Sequence, residues 1–346
     1  MKLGMAIEYA RDPLGQLASV PELEKAGLDM VLVAEAYGLD AVSVMGYLAA
    51  ITERVEIAAG ILPIYTRTPA LIAQTAVGLD TLTGGRFVLG LGASGPQVIE
   101  GWHGVPYHRP LQTTRELIEI CRKVWRREEP LSYEGDVFTL PLPAGEGTGL
   151  GKPLKIINHP PRPDIPIMLA SLGPKNVQLT AELADRWLPI LFVPERAERV
   201  WGDDLATGRA RRDPSLGNLE IVAGGIVAIG KQAEVAPFRE LARPTIALYV
   251  GGMGSRGRNF YNDLMVRYGW EEEARTIQDL YLNGRKEEAM AAIPDEFLEL
   301  TSLCGDESYI RDRIEAYEEA GVTTLSLIPV GDHPTTIIEK LRSIID

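Results

Sequence analysis

The chain has 346 residues, 45% of them hydrophobic and 24% charged, a soluble globular balance with enough apolar material for a large core. A net charge of −13 argues against non-specific binding to nucleic acid or to an anionic membrane. The two cysteines, Cys121 and Cys304, fall in segments read as helical and lack C-x-x-C spacing, which points to a reducing compartment without a disulfide framework or a zinc site. The opening "MKLGMAIEYA" lacks the apolar run of a signal peptide, and no apolar stretch approaches the ~20 residues of a membrane span. A cytoplasmic protein is the expectation.

Apolar runs then recur at a steady rhythm. "KLGMAIEY" reads as a first strand, and "LGQLASVPELEKAG" after it as a helix ending in Gly27. "MVLVAEA" is followed by "DAVSVMGYLAAIT", "VEIAAGI" by "PALIAQTAVGLDTLT", and "RFVLGLG", farther on, by "TTRELIEICRKVWRRE". "PIMLASL", "RWLPILF", "LEIVAGGIVAI" and "TTLSLIPV" supply four more strands. Each run is short, apolar on both faces and followed by helix-period sequence, the pattern of parallel strands under helices. Eight such units predict an α/β fold, a single-domain (β/α)8 TIM barrel over residues 1–346. The rival, a doubly wound open sheet, more often has fewer strands and a second domain. Three stretches break the rhythm as insertions, at about 93–110, 129–165 and 250–302. The second is rich in Gly and Pro, and the third is helical.

In a barrel the chemistry gathers at the C-terminal ends of the strands. Glu8 ends the first strand. Glu35 ends the second, with Tyr37 and Asp40 just beyond. Either glutamate suits acid–base work if burial raises its pKa; the alternative is a solvated or arginine-paired carboxylate. Gly60 and Ile61 end the third strand, and Gly92, Ser94 and Gly95 the fourth. "GLGASG" matches G-x-G-x-x-G, but a dinucleotide fingerprint must open a helix at once within a first βαβ unit. Here "PQVIEGWHGVPYHRP" follows, so the helix is expected to start much later. Gly92 and Gly95 are read as allowing close approach of a flat ligand, or else as a tight turn.

After the fifth strand comes "SLGPKN", Ser171 to Asn176. A helix starting at a strand end aims free N–H groups at the site. Pro174 costs nothing in the first turn, Gly173 permits close approach, and Lys175 adds charge. This pattern suits a phosphate. The four histidines form no metal set, and no G-x-S-x-G elbow is present. His103, beside Trp102, is the histidine to test. With no nucleophile or metal set in view, a bound cofactor is expected to carry the chemistry.

"TLTGGRFVLGLGASGPQVIEGWHGVPY", "LPIYTRTPALIAQTA" and "IPIMLASLGPKNVQLTAELADRWLPILF" resemble the luciferase-like oxidoreductases, specifically the branch using coenzyme F420. That coenzyme is an 8-hydroxy-5-deazaflavin with a phosphate and an oligoglutamate tail. "GDESYIRDRIEAYEEAGVTTLSLIPVGD" resembles the last βα unit of methylenetetrahydromethanopterin reductase. The resemblance implies a bacterial-luciferase-like barrel that exchanges a hydride between the deazaflavin C5 and a small organic substrate, often as a homodimer. It implies a cis peptide at Gly60–Ile61 against the ring. Ser171, Leu172, Gly173, Lys175 and Asn176 would hold the phosphate, and Ser94, Gly95 and Val98 would border the ring and ribityl chain. It also matches Glu8 to an acidic residue of the methylene reductases. Tyr37, Tyr65 and Trp102 are expected to wall the substrate pocket, and Glu35, Glu8 and His103 are the acid–base candidates. The sugar-phosphate dehydrogenases of that branch carry Asp-His after the second strand, where this chain has Glu35-Ala36, so glucose-6-phosphate oxidation by their mechanism is not expected. The alternatives are an FMN-dependent monooxygenase on the same fold and a non-catalytic flavin or deazaflavin binder.

Overall fold

The structure, a computed structural model, describes residues 1–7 and 12–345. Eight parallel strands close into a barrel. They are β1 (Lys2–Ala6), β2 (Met30–Val33), β3 (Glu56–Ala59), β4 (Phe87–Gly92), β5 (Ile167–Leu169), β6 (Arg186–Trp187), β7 (Glu220–Ile229) and β8 (Thr324–Pro329). Closure runs through β7, which pairs with β6 at Glu220↔Arg186 and with β8 at Val222↔Thr324. The helices that follow the strands are α1 (Pro13–Lys25), α2 (Ala41–Ile51), α3 (Pro69–Thr83), α4 (Pro110–Arg126), α5 (Pro174–Leu183), α6 (Pro194–Arg209) and α8 (Pro334–Ile345), with α7 (Glu307–Glu319) before β8. A proline stands first in six of the seven helices that follow a strand, all but α2, where its missing N–H is no loss. No described helix is long and apolar enough to cross a membrane.

The strand pleat sends alternate residues inward. Met30, Leu32, Ala58, Val88, Met168 and Val222 fill the barrel as a cluster separate from the larger core between strands and helices. Below them the N-terminal end is closed by charge. Arg186, 6% exposed, donates to both oxygens of Glu56 at 2.8 and 2.9 Å and pairs with Glu220 at 2.8 Å. Lys2 reaches Glu56 at 3.5 Å. Burial pushes the Glu56 carboxyl up, but Arg186 and Lys2 outweigh it and hold it below the usual range.

The insertions take distinct forms. A short helix, Pro96–Gly101, opens directly on Gly95 as its N-cap, so the late helix start expected after "GLGASG" is corrected. The proline supplies the preset φ that starts it. Residues 129–165 hold a hairpin, Tyr133–Glu134 with Thr139–Leu140, pinned to α4 by Glu116. That buried carboxylate accepts from Gln112 Nε2 and from the N–H groups of Asp136, Val137 and Phe138. The helical insertion after β7 begins with short turns from Gln232, earlier than position 250, and includes the helices Phe260–Tyr268 and Glu271–Leu282. Cys121 lies in α4, but Cys304 lies in a short strand, Leu303–Gly305, paired to the end of β7, not in a helix.

Candidate active site

The mouth at the C-terminal ends of the strands is shaped by one extra residue. Ile57 pairs with Phe87 and Leu62 with Leu91, so β3 and its continuation Leu62–Pro63 carry a bulge against β4. The bulge contains the Gly60–Ile61 peptide, which is cis. It presses on β4: a side chain at Gly90 would run into the carbonyl oxygen of Ala59, and a Cβ at Gly92 would lie 2.9 Å from Ile61 Cγ1. Gly92 is therefore glycine because the bulge packs on it, not because a ligand approaches there. Gly95 stays open, with only the flexible Gln97 side chain near. Ser94 holds φ +58°, a left-handed conformation that non-glycine residues seldom adopt, next to the mouth. Val98 is buried in the short helix, and its carbonyl accepts from the N–H groups of Trp102 and His103.

Most inward positions at the upper rim are small and uncharged, with Leu188 and Ile328 the larger exceptions. Ala6, Ala34, Gly60, Ala170, Gly224 and Ser326 fall there by strand alternation, all at least partly exposed. This leaves a floor for a flat ring above Leu32 and Met168.

At the β5 rim, α5 starts at Pro174 with Gly173 as N-cap and no side-chain cap. The N–H groups of Lys175 and Asn176, in the first turn, have no carbonyl within the helix to reach. The loop before them is fixed from behind. Leu172 O accepts from Trp201 Nε1 at 3.2 Å and from Arg267 Nη1 at 3.3 Å, and Ser171 O accepts from Trp187 Nε1 at 3.0 Å. The Ser171 hydroxyl is buried and shares a 2.7 Å hydrogen bond with Thr180 Oγ1, so it shapes the loop from inside. The Lys175 ammonium is exposed, 3.5 Å from Gln178 Oε1. It lines a groove of about 420 Å³ with Arg115, Glu182 and Arg211 on the outer wall between α4 and α5.

The acid–base candidates separate clearly. Glu35 is paired. Arg67 donates to its two oxygens at 2.5 and 2.9 Å, and Ala41 N–H donates to Oε2 at 3.0 Å. Arg67 also binds Asp40, which caps α2 through Ser43. His103 is different: its Nε2 is buried and, among the described residues, has no hydrogen-bond partner. Glu8 lies outside the described residues. Of the expected pocket walls, Tyr37 and Trp102 are 67% and 66% exposed. Tyr65 is half-buried, packs against Tyr107 at 5.2 Å between ring centroids and donates to His108 O at 3.0 Å. Tyr107 and Tyr261, which sequence reasoning passed over, enter the same region from the loop after β4 and the insertion after β7. Among the described residues no three His, Cys, Asp or Glu side chains assemble as a metal-ligand set.

These residues fit a phosphate-bearing flat ring. The rim floor lacks bulk and charge, a helix start offers two uncommitted N–H groups, and His103 leaves one buried nitrogen unengaged. A protein of Mycobacterium tuberculosis named, by inference, a coenzyme F420-dependent oxidoreductase is 43% identical over 94% of this chain and 94% of its own. The 5,10-methylenetetrahydromethanopterin reductase of Archaeoglobus fulgidus is 27% identical, covering 89% of this chain and 87% of its own. The solved coenzyme F420-dependent tetrahydromethanopterin reductase of Methanopyrus kandleri superposes with a TM-score of 0.76 at 20% identity, covering 98% and 96% of the two chains. Residues 3–324 match the luciferase-like monooxygenase family, and the chain belongs to that family.

Proposed function

We propose that the chain is a coenzyme F420-dependent oxidoreductase that transfers a hydride between the deazaflavin C5 and a small organic substrate at the barrel mouth. The observation that carries this reading is the α5 start, with two uncommitted N–H groups beside a floor of alanine and glycine. The name of the Mycobacterium tuberculosis relative favours the deazaflavin over FMN. When bound, the coenzyme supplies a two-electron carrier, and the chain supplies shape and electrostatics.

The roles follow from what each group has free. Gly173, Lys175 and Asn176 hold the phosphate through backbone N–H groups, while Ser171 and Leu172, bonded from behind, keep that backbone in place. Gly60 and Ile61 support one face of the ring. Ser94, Gly95 and Val98 border its edge and the ribityl chain. Glu35 has both oxygens engaged and fixes Arg67 and the start of α2. His103 has a free nitrogen and takes the proton role, with Glu8 as the second candidate. Tyr65 and, nearer solvent, Tyr37 and Trp102 flank the substrate entrance. A homodimer is part of the proposal and is read by light scattering.

Titration with coenzyme F420 and, separately, with FMN, followed by ligand fluorescence, tests the reading. Saturable binding of the deazaflavin with weak or no binding of FMN is expected. Preference for FMN moves the protein to the monooxygenases. Binding of neither overturns the phosphate reading of "SLGPKN". Tight binding without hydride exchange with any acceptor makes it a binder only.

A further inference from the structure

We propose that Tyr107 and Tyr261 are specificity-determining residues, two phenol donors that recognise an uncharged oxygen acceptor, a ketone or enone carbonyl, above the mouth. The inference deepens the oxidoreductase reading and rests on it for the reaction.

The two phenols come from different segments, after β4 and after β7, and each is held by a second tyrosine. Tyr107 packs on Tyr65, whose hydroxyl donates to the carbonyl of His108, the next residue. Its own N–H donates to Glu100 Oε1 at 3.1 Å. The ring is thereby fixed from its flank and through its backbone. Tyr261 packs edge-on against Tyr249 at 4.6 Å between centroids, and its N–H donates to Asn259 Oδ1 at 3.0 Å. Asn259 is 1% exposed and anchors that turn further by donating to the carbonyls of Tyr249 and Val250. The turn reaches the mouth, because the Phe260 ring lies 3.6 Å from where a Cβ on Gly173 would stand.

No hydrogen bond joins either hydroxyl to another described residue, whereas each ring is flanked by a second tyrosine and each backbone N–H is bonded. Buried or half-buried phenols ordinarily find one. Burial, with Tyr249 and Tyr107 nearby, pushes the Tyr261 phenol up, and burial pushes Tyr107 up, so both remain protonated donors across neutral pH. They offer hydrogen bonds without charge. The Arg67 guanidinium, two residues along the chain from Tyr65, is already engaged by Glu35 and Asp40, and a buried anion here would lack a counter-charge from it. A neutral carbonyl matches that supply. A site built around unpaired donors also discriminates against an analogue lacking the acceptor.

The test uses cyclohex-2-en-1-one and cyclohexene as probes, with probe binding read by calorimetry and coenzyme binding by its own fluorescence. Wild type, Tyr107→Phe, Tyr261→Phe and the double variant are compared, with and without coenzyme F420. Wild type is expected to prefer the enone. Each single variant loses roughly 2- to 12-fold of that preference, the loss of one neutral hydrogen bond, and the double variant shows almost none. Coenzyme affinity stays within about twofold in all four, because the phosphate and ring contacts assigned above are untouched. A wild type without enone preference, or a preference that survives in the double variant, overturns the proposal. Enone preference in a protein that binds no coenzyme overturns the proposed function and leaves the tyrosine assignment standing.

Discussion

The two ends of the barrel are built on opposite principles. At the N-terminal end, the first residues of four strands, Lys2, Glu56, Arg186 and Glu220, form a closed ionic network in which every charge has a partner. At the C-terminal end most inward residues shrink to Ala, Gly and Ser, and polar groups around them are left open: two helix N–H groups, a buried histidine nitrogen and the two phenols that bond to no described residue. The charges of the first end are paired within the protein. The second leaves donors unengaged at the place proposed for the coenzyme and substrate. An unpaired buried polar group costs stability, which makes the His103 nitrogen at the mouth a candidate for a ligand contact.

The largest expected effect tests the closed end. Arg186→Leu removes the buried guanidinium from Glu56 and Glu220, whose side chains are 25% and 41% exposed. Removing one partner of a fully buried ion pair costs about 3–5 kcal/mol, and the partial exposure of these carboxylates lowers the expected loss to about 2–3 kcal/mol. Denaturant unfolding is expected to show that loss, with coenzyme affinity unchanged in the protein that remains folded. Unchanged stability would mean that water already serves those carboxylates and that the two ends are not so different.

Next is the bulge that shapes the open end. Gly90→Ala puts a methyl group against the carbonyl of Ala59, where backbone and not a flexible side chain must move. Overpacking of this kind costs about 1–3 kcal/mol. Because the bulge carries Gly60 and Ile61, the variant is expected to lose coenzyme affinity at least tenfold along with stability. Arg186→Leu spares affinity and Gly90→Ala does not, and that contrast is the comparison in measurable form. Equal effects on binding would collapse it.

Much of this was legible in the sequence. The eight apolar runs named the strands, and proline after the fifth named a helix start, because both signals are local. The reason for Gly92 was not legible. Its glycine answers Ile61 on the neighbouring strand, and a single sequence does not distinguish a neighbour's side chain from a ligand. The short helix at Pro96 was misread because six residues carry too little periodicity to register. Glu35 was placed correctly at a strand end, but its partner Arg67 stands 32 residues on, across the next βα unit. Tyr107 and Tyr261 are joined only by closure of the barrel and the reach of an insertion, which no local pattern records.

A smaller effect is expected at Glu116, which belongs to neither end and so serves as a control for the cost of an unmet backbone group. Burial pushes its carboxyl up, but the hydrogen bonds from Gln112 and from the N–H groups of residues 136–138 prevail and hold it below the usual range. A carboxyl lowered on folding stabilises the protein above its unfolded pKa, about 4.3, and that contribution is lost as pH falls through the folded value. Glu116→Gln is expected to cost about 1–3 kcal/mol at pH 7, with the gap to wild type narrowing below about pH 4. Unfolding at pH 7 and pH 3.5 reads it. A constant gap would show that the hairpin depends on Glu116 by shape and not by charge.

The smallest effect sharpens the open end itself. If the phosphate is held by backbone N–H groups, the Lys175 ammonium, turned toward Gln178 on the outer wall, contributes only at a distance. Lys175→Ala is then expected to weaken coenzyme binding by roughly 0.3–1 kcal/mol, a factor of about 2–5, and the difference shrinks as salt screens the charge. A loss of a hundredfold would mean that the side chain swings onto the phosphate, and the open end would then rely on a mobile charge. A small, salt-sensitive loss leaves the work with the helix start, where "GPK" supplies its proline for the turn and its glycine for the approach, and the lysine adds long-range attraction.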